Sequence, residues 1–401
     1  MAKQSVQFDN SDGETLNGEI YWPAGNVRAM VLFAHCFTCS KNVKAAVGIA
    51  RTLNRLGFAV MTFDFTGLGA SEGEFADTNF SSNVSDLIEA AAFLERRFRA
   101  PDILIGHSLG GTAALAAAGQ LPGCKAVATI GSPARAGHVA KLLSDKREEI
   151  DARGEATVDI GGRPFRIKQQ FLDDIEQDTV AERLSELRLP LLIMHSPRDT
   201  IVSIDNAGEI FQRAIHPKSF VSLDNADHLL SRNEDASYAA QVLAAWAGRF
   251  LDEASVEIDG VVARTRRGEL TTALQAGPHE WLADEPAAVG GAELGPSPYD
   301  LLSAALASCT SMTLQLYARR KGIELEEARV RVRHARIHAE DCADCETKSG
   351  RIDQFEREVQ LLGKLDSPTR ERLLEIADRC PVHRSLTSET RIVTTLTTAE
   401  D

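Results

Sequence analysis

Residues 102–111 read DILIGHSLGG, and the alanine-rich stretch TAALAAAG follows from 112 to 119. The opening of this stretch is an apolar strand, and the alanine-rich run behind it is a helix. Ser108 stands at their junction inside Gly-x-Ser-x-Gly, with Gly106 and Gly110 leaving room for a tight backbone turn. A serine on such a strand-to-helix turn is presented at the end of its strand, as a nucleophile elbow requires.

Working outward, strands are expected at 30–35, 58–64 and 126–131, with helices in the gaps, including one at 80–97. Strand followed by helix, repeated, means a mostly parallel sheet covered on both faces, the α/β class. The pattern resumes with strands at 189–195 and 219–223 and closes with an alanine-rich helix near 235–251. Between these halves, 135–187 is highly charged and lacks the alternation; it is expected to be a cap over the carboxyl edge of the sheet.

A serine hydroxyl is a poor nucleophile near neutral pH and needs a histidine oriented by a carboxylate. The strand LPLLIMH is followed by SPRDTIVS, which puts Asp199 just past a strand end; SFVSL is followed by DNADHLL, which offers His228 in the next loop. The chain order Ser108, Asp199, His228 is the order an elbow-based triad takes. An oxyanion needs donors, and the amide of Leu109, next after the serine, is one. The second is expected from HCFTCSKN after the strand LFAH, at the amide of Phe37. His107 and His195 read as structural.

These residues resemble the α/β-hydrolase family of serine esterases and peptidases over about 1–251, and FDFTGLGASEG, with Asp64 and Gly67, fits a strand-to-turn signature of that family. Cys36 stands where the family usually has glycine after the histidine of the oxyanion loop. The resemblance implies an ester hydrolase acting on a small-molecule ester through an acyl-enzyme; a peptidase, a thioesterase or an acyltransferase shares that chemistry.

After residue 251 the pattern changes. DEASVEIDGVVARTRRGELTTALQA alternates apolar and polar residues, as half-buried antiparallel strands do, so a second domain is expected over 252–401. Its Ser297-Pro298 opens a helix running to Gly322, and a second Ser-Pro at 367 opens one that ends near Cys380, where Pro381 stops it. Strands at 328–338, 355–362 and 390–398 complete an α+β unit. On the first helix Leu301, Leu302, Ala305, Cys309, Met312 and Leu316 recur at helical spacing, which places Cys309 on a buried stripe.

GPSPYDLLSAALASCT followed by ADRCPVHRSL resembles the OsmC and organic-hydroperoxide-resistance family over about 256–398. The resemblance implies a homodimer formed through this domain and a pair of thiols, Cys309 attacking an organic hydroperoxide and Cys380 resolving the product, with a thiol reductant the sequence does not identify. The family glutamate ten residues before the first cysteine is replaced by Tyr299, with Asp300 adjacent as a substitute. Arg264, Arg266 and Arg267 are the candidates for the arginine that lowers the thiol pKa. Alternatively, the domain is a non-catalytic dimerisation or ligand-binding module.

The chain has 401 residues, 43% hydrophobic and 25% charged, with a net charge of −14, which argues against tracking along nucleic acid. No membrane span and no export leader are expected, which points to the cytoplasm. The seven cysteines are an odd count, and a disulfide scaffold is not expected. Cys36-x-x-Cys39 reads as loop packing rather than a redox or metal pair, because no partner pair lies near it. His334, His338, Cys342 and Cys345 have zinc-ligand types, but residues four apart on a strand lie about 13 Å apart, too far to chelate without a bend. No metal and no cofactor is called for.

Overall fold

A computed structural model describes residues 2–36, 39–160, 163–251, 259–341, 347 and 349–397. The chain divides into two compact units, Met1–Glu280 and Trp281–Asp401.

In the first unit, β1 (Ala2–Asp9) and β2 (Thr15–Trp22) form an antiparallel pair. β3 (Ala29–Ala34), α1 (Lys44–Arg55), β4 (Phe58–Phe63), α2 (Phe80–Arg97), β5 (Ile103–His107), α3 (Leu109–Ala118) and β6 (Ala126–Ile130) follow in strand-helix alternation. The inserted region comprises a 3-10 stretch (Ala136–Lys146), α4 (Arg147–Arg153), the hairpin β7 (Glu155–Ile160) and β8 (Arg163–Lys168), α5 (Gln169–Glu176) and α6 (Val180–Arg183). β9 (Leu191–His195), α7 (Asp205–Arg213), β10 (Lys218–Ser222) and α8 (Asn233–Ala247) then complete the sheet and its cover. The eight strands run in the order β1-β2-β4-β3-β5-β6-β9-β10, parallel from β4 onward.

Every residue of β3, β4, β5, β6 and β9 is buried, as strands covered on both faces must be. One core packs α2 and α3 against one face, and the other packs α1 and α8 against the opposite face. Asn79 caps α2 through a reciprocal capping box with Ser82, which explains why that helix was legible to the residue. The insert fastens to the loops at the carboxyl ends of the strands. Phe165 packs edge-on against Phe75, Asp174 accepts from the Ser81 amide at 2.8 Å, and His138 Nε2 lies 3.1 Å from the Ile201 carbonyl. It therefore lies where a cap over the carboxyl edge was expected.

β11 (Val261–Thr265), β12 (Thr272–Ala276) and β13 (His279–Ala283) form a three-stranded sheet, and the boundary between the units falls inside β13 rather than at 251. The first unit reaches so far because Asn26 donates to Gln275 (2.9 Å) and Glu280 (3.1 Å), and Arg264 donates to Asn26.

In the second unit, α9 (Pro298–Lys321) lies against the long hairpin of β14 (Leu325–His338) and β15 (Arg351–Gly363), with α10 (Ser367–Ala377) and α11 (Pro381–Thr387) behind. α9 starts and stops where the sequence says: Ser297 and Asp300 form a capping box, Pro298 occupies the first turn, and Gly322 takes the left-handed conformation at the end. Two expectations fail here. The buried face of α9 is Leu306, Thr310, Leu314 and Ala318, whereas Met312 and Leu316, on the expected stripe, are 65% and 55% exposed. The helix is apolar around most of its circumference, so periodicity does not choose a face, and packing against β14 and α10 does. The expected strand at 390–398 is likewise missing: through residue 397 the segment pairs with nothing, and Ile392, Val393 and Leu396 are exposed. A strand needs an edge to pair with, and the β14–β15 ladder does not take it up.

α9 is also the one helix among the described residues long and apolar enough to cross a membrane by length and composition, which the sequence reading missed. Within the unit it is the helix on which the small core of Leu314, Ala318, Leu325, Leu373 and Ile376 is built.

Candidate active site

Ser108 follows β5 directly and holds φ 55°, ψ −131°, a left-handed backbone that a non-glycine residue adopts only where its surroundings enforce it. Its amide donates to Ile130 at 2.9 Å. The flanking glycines are obligatory: a Cβ on Gly106 would meet the Gly110 carbonyl oxygen at 2.3 Å, and one on Gly110 would meet the His35 carbonyl oxygen at 2.3 Å. The elbow thus presses against the chain leaving β3.

His228 Nε2 lies 3.0 Å from Ser108 Oγ, and its Nδ1 lies 2.7 Å from Asp199 Oδ2. The sequence brought these three residues from three loops, and the fold joins them. Asp199 Oδ1 also accepts from the amides of Ile201 and Val202, each at 2.9 Å. Burial works to raise this carboxyl, but the His228 bond and the two amides outweigh it and hold Asp199 below the ordinary range. An ionised Asp199 fixes the His228 tautomer, leaving Nε2 free to take a proton from Ser108. Leu109 opens α3, where amides of a first turn have no intrahelical carbonyl partner. Phe37, the expected second oxyanion donor, lies outside the described residues.

Three buried histidines surround the triplet. His107 Nε2 donates to the His228 carbonyl at 2.7 Å, and the two rings lie 5.2 Å apart. Burial, then the neighbouring His228, pushes His107 down to about 3. His195 donates to the Val202 carbonyl at 2.8 Å, and burial lowers it as well as His35. All three are neutral spacers that position backbone.

The loop between β3 and α1 holds more than the sequence suggested. Asp64 accepts from the Lys41 amide at 2.6 Å, from the Lys41 ammonium and from the Ala70 amide at 3.0 Å. Gly69 is required beside it, because a Cβ there would fall 2.3 Å from the Asp64 carboxyl. The FDFTGLGASEG signature is therefore a clamp on this loop, and Lys41 was its overlooked half. Cys36 and Cys39 are joined by a disulfide, not merely packed, because a turn closed by Cys39 N donating to Cys36 O at 3.1 Å brings their Cα atoms to 5.4 Å. So short a ring adds only about 2 kcal/mol of chain-entropy stabilisation and is no scaffold.

In the second unit, Cys309 and Cys380 are both free thiols, Cys380 fully buried and Cys309 partly so. Cys380 caps α11, accepting from the His383 amide at 3.2 Å, and lies 3.5 Å from Thr310 Oγ1. Burial opposes its ionisation, yet Thr310, the His383 amide, Cys309 and the Arg357 guanidinium together hold its pKa below the usual thiol value. Arg357 itself donates to Thr310 and Ala377 and pairs with Asp378. It is therefore the cation beside the thiols. Of the arginines expected there, Arg264 serves Asn26 and Arg266 lies over the Trp22 ring, both in the first unit. Arg357 had a legible signal: it sits among Phe355, Val359 and Leu361 on the apolar side of β15.

Asp300 does not stand in for the missing glutamate, because its carboxylate is engaged by the Ser297 amide (3.0 Å) and hydroxyl (2.7 Å). Tyr299 stacks flat on His334 at 4.0 Å, and His334 bonds Asp353 at 2.9 Å. Cys342 and Cys345 lie outside the described residues, and among those described no group of three metal-ligating side chains gathers.

A family model described as serine aminopeptidase, S33 matches residues 25–141, and one described as OsmC-like protein matches 290–395. The esterase domain from a Rhodothermus marinus protein is 51% identical, with a TM-score of 0.53, over 62% of this chain and 99% of its own. The chain is an α/β-hydrolase fused to an OsmC-like domain. Mouse palmitoyl-protein thioesterase ABHD10 is 27% identical over 213 residues, 51% of this chain and 70% of that protein. The mouse ABHD10 structure, 22% identical with a TM-score of 0.53, shares the hydrolase fold over 61% of this chain. The hydrolase of the fusion is of the esterase or thioesterase type.

Proposed function

We propose that the first unit is a serine carboxylic-ester hydrolase working through Ser108, His228 and Asp199. The observation that carries this reading is the unbroken hydrogen-bonded chain from Asp199 through His228 to a serine on a strained elbow. Ser108 Oγ attacks the ester carbonyl while His228 Nε2 takes its proton. The Leu109 amide meets the developing oxyanion, with the Phe37 amide as the second donor. His228 then protonates the leaving alcohol, and water enters by the reverse steps to release the acid.

An ester and acyl-thioester chain-length panel on the wild type and Ser108→Ala tests this. Loss of turnover in the variant is the expected result, and equal rates in both proteins would remove the claim. Thioesters belong in the panel because the ABHD10 proteins are named for palmitoyl-protein thioesterase activity. Peptidase and acyltransferase activities are the other outcomes the same chemistry allows.

For the OsmC-like unit the reading is a thiol peroxidase. Cys309 as thiolate attacks an organic hydroperoxide, giving an alcohol and a sulfenic acid; Cys380 condenses with it, releasing water and leaving a disulfide for a thiol reductant to reopen. The lowered Cys380 thiol beside Arg357 supports the second step. Peroxide-dependent loss of two thiols, abolished by Cys309→Ser and by Cys380→Ser, is expected. No loss with several hydroperoxides would favour a non-catalytic dimerisation or ligand-binding module, a reading that Tyr299 in place of the family glutamate supports. A homodimer completes the proposal, supported by the exposed Met312 and Leu316 on α9 and the unpaired segment carrying Ile392 and Val393, and the cytoplasm is its proposed location.

A further inference from the structure

The chain between β3 and α1 is anchored at both ends. At its start, His35 Nδ1 donates to the Cys36 carbonyl at 2.9 Å, and the His35 carbonyl abuts Gly110 of the elbow. At its end, the Lys41 amide and ammonium are clamped on the buried Asp64. Between these anchors the Cys36–Cys39 bridge is the sole covalent tie. Cys36 is buried and lines a small cleft with His35, Leu109 and Gly110, so one sulfur of the bridge sits in the same cleft as the residue whose amide opens α3. Cys39 is partly exposed.

We propose that Cys36–Cys39 is a reversible thiol–disulfide modification site, exchanging with low-molecular-weight thiols and their disulfides, and that its oxidised form is the more active state of the hydrolase. This inference rests on the hydrolase reading of Ser108.

The exchange proceeds from the exposed side. A thiolate RS⁻ attacks Cys39 Sγ, the S–S bond breaks, and Cys36 leaves as a thiolate that takes up a proton. A second RS⁻ attacks the R sulfur of the mixed disulfide, releasing Cys39 as a thiolate that is protonated in turn. Two RSH become one RSSR, and the protein gains two electrons and two protons. Oxidation by RSSR is the reverse. With the bridge closed, Cys36 is tied to Cys39 beside the elbow; opened, Cys36 loses that tie in the cleft it shares with Leu109, whose amide opens α3. Oxyanion stabilisation depends on donors fixed before the reaction, so the opened form loses turnover rather than substrate binding.

The test uses the full chain carrying Cys309→Ser and Cys380→Ser, so that these two thiols neither consume oxidant nor confuse labelling. The protein is equilibrated with oxidised or reduced glutathione, the 36–39 peptide is mapped by differential alkylation, and p-nitrophenyl butyrate hydrolysis is followed. We expect the pair to alkylate only after reduction. Reduction should lower kcat at least about 5-fold with KM unchanged, short of the roughly 10²–10³ that outright loss of one oxyanion donor costs. Adding Cys39→Ser should fix the low rate in both buffers, with thermal melting confirming a folded protein. Equal kcat in both states while alkylation reports the bridge opened would overturn the proposal, as would thiols that stay free in oxidised glutathione. Ser108→Ala separates the failures: if it retains full turnover, the hydrolase reading falls, and alkylation alone decides whether the exchange occurs.

Discussion

The two units treat their reactive groups oppositely. In the first, Ser108 and the side chains of His228 and Asp199 are buried at the edge of a sheet closed by helices on both faces, and their polar partners among the described residues come from within the unit. In the second, a buried thiol sits under a helix that turns apolar side chains outward and a two-stranded ladder whose expected third strand lies unpaired. The lesson is one of completeness. A site assembled from one chain depends on that chain's geometry alone, whereas one built on so small a core depends on what covers it.

The largest test of that contrast is Asp199→Asn. Loss of the orienting carboxylate should lower hydrolytic kcat about 10⁴-fold, while peroxide consumption by the thiol unit stays at the wild-type level. Steady-state ester kinetics and thiol titration on the same sample check both halves. Next is Met312→Glu with Leu316→Glu, which places charges on the outward face of α9. Sedimentation should show dimer giving way to monomer, with the dissociation constant rising more than about 100-fold, while ester turnover is unchanged. Arg357→Met follows. Thr310, the His383 amide and Cys309 still act on Cys380 without the guanidinium, so its thiol rises only in part and alkylation at neutral pH slows modestly, with melting curves checking that α11 stays folded.

The smallest effect concerns pH. His107 stays neutral in the folded unit down to about 3, whereas the unfolded chain protonates it near 6.5. Between those values the unfolded state binds the extra proton, so this contribution to stability is present above about 6.5 and drains away as pH falls toward 3. The slope is at most about 1.4 kcal/mol per pH unit for one histidine. Calorimetry between pH 7 and 5 should show the first unit losing a few degrees per unit, and His107→Gln should flatten the loss.

How much of this was legible depended on whether a feature is local. The elbow, the 80–97 span of α2 and the Ser297 to Gly322 limits of α9 are written in short stretches and appear as expected. The meeting of Ser108, His228 and Asp199 was readable because each follows a strand end. The buried face of α9 was not, because an apolar circumference leaves the choice to distant packing. Nor was the Lys41–Asp64 clamp, whose two halves lie on different strand ends, or Arg357, whose meaning depends on a thiol 23 residues further along the chain. Arginine on the apolar side of a strand is, even so, a cue worth following, since a charge is placed there only when a partner awaits it.

α9 carries a further consequence for how the protein is made. Its 24 residues contain an 18-residue stretch of mean hydropathy 1.2 and emerge from the ribosome before the β14–β15 hairpin that covers one side exists. As a helix they span about 36 Å, enough for the hydrocarbon thickness of a bilayer. During that interval the segment offers membrane-insertion machinery and chaperones the same surface. Docking of the β14–β15 hairpin against Leu314 and Ala318 covers that side and ends the interval.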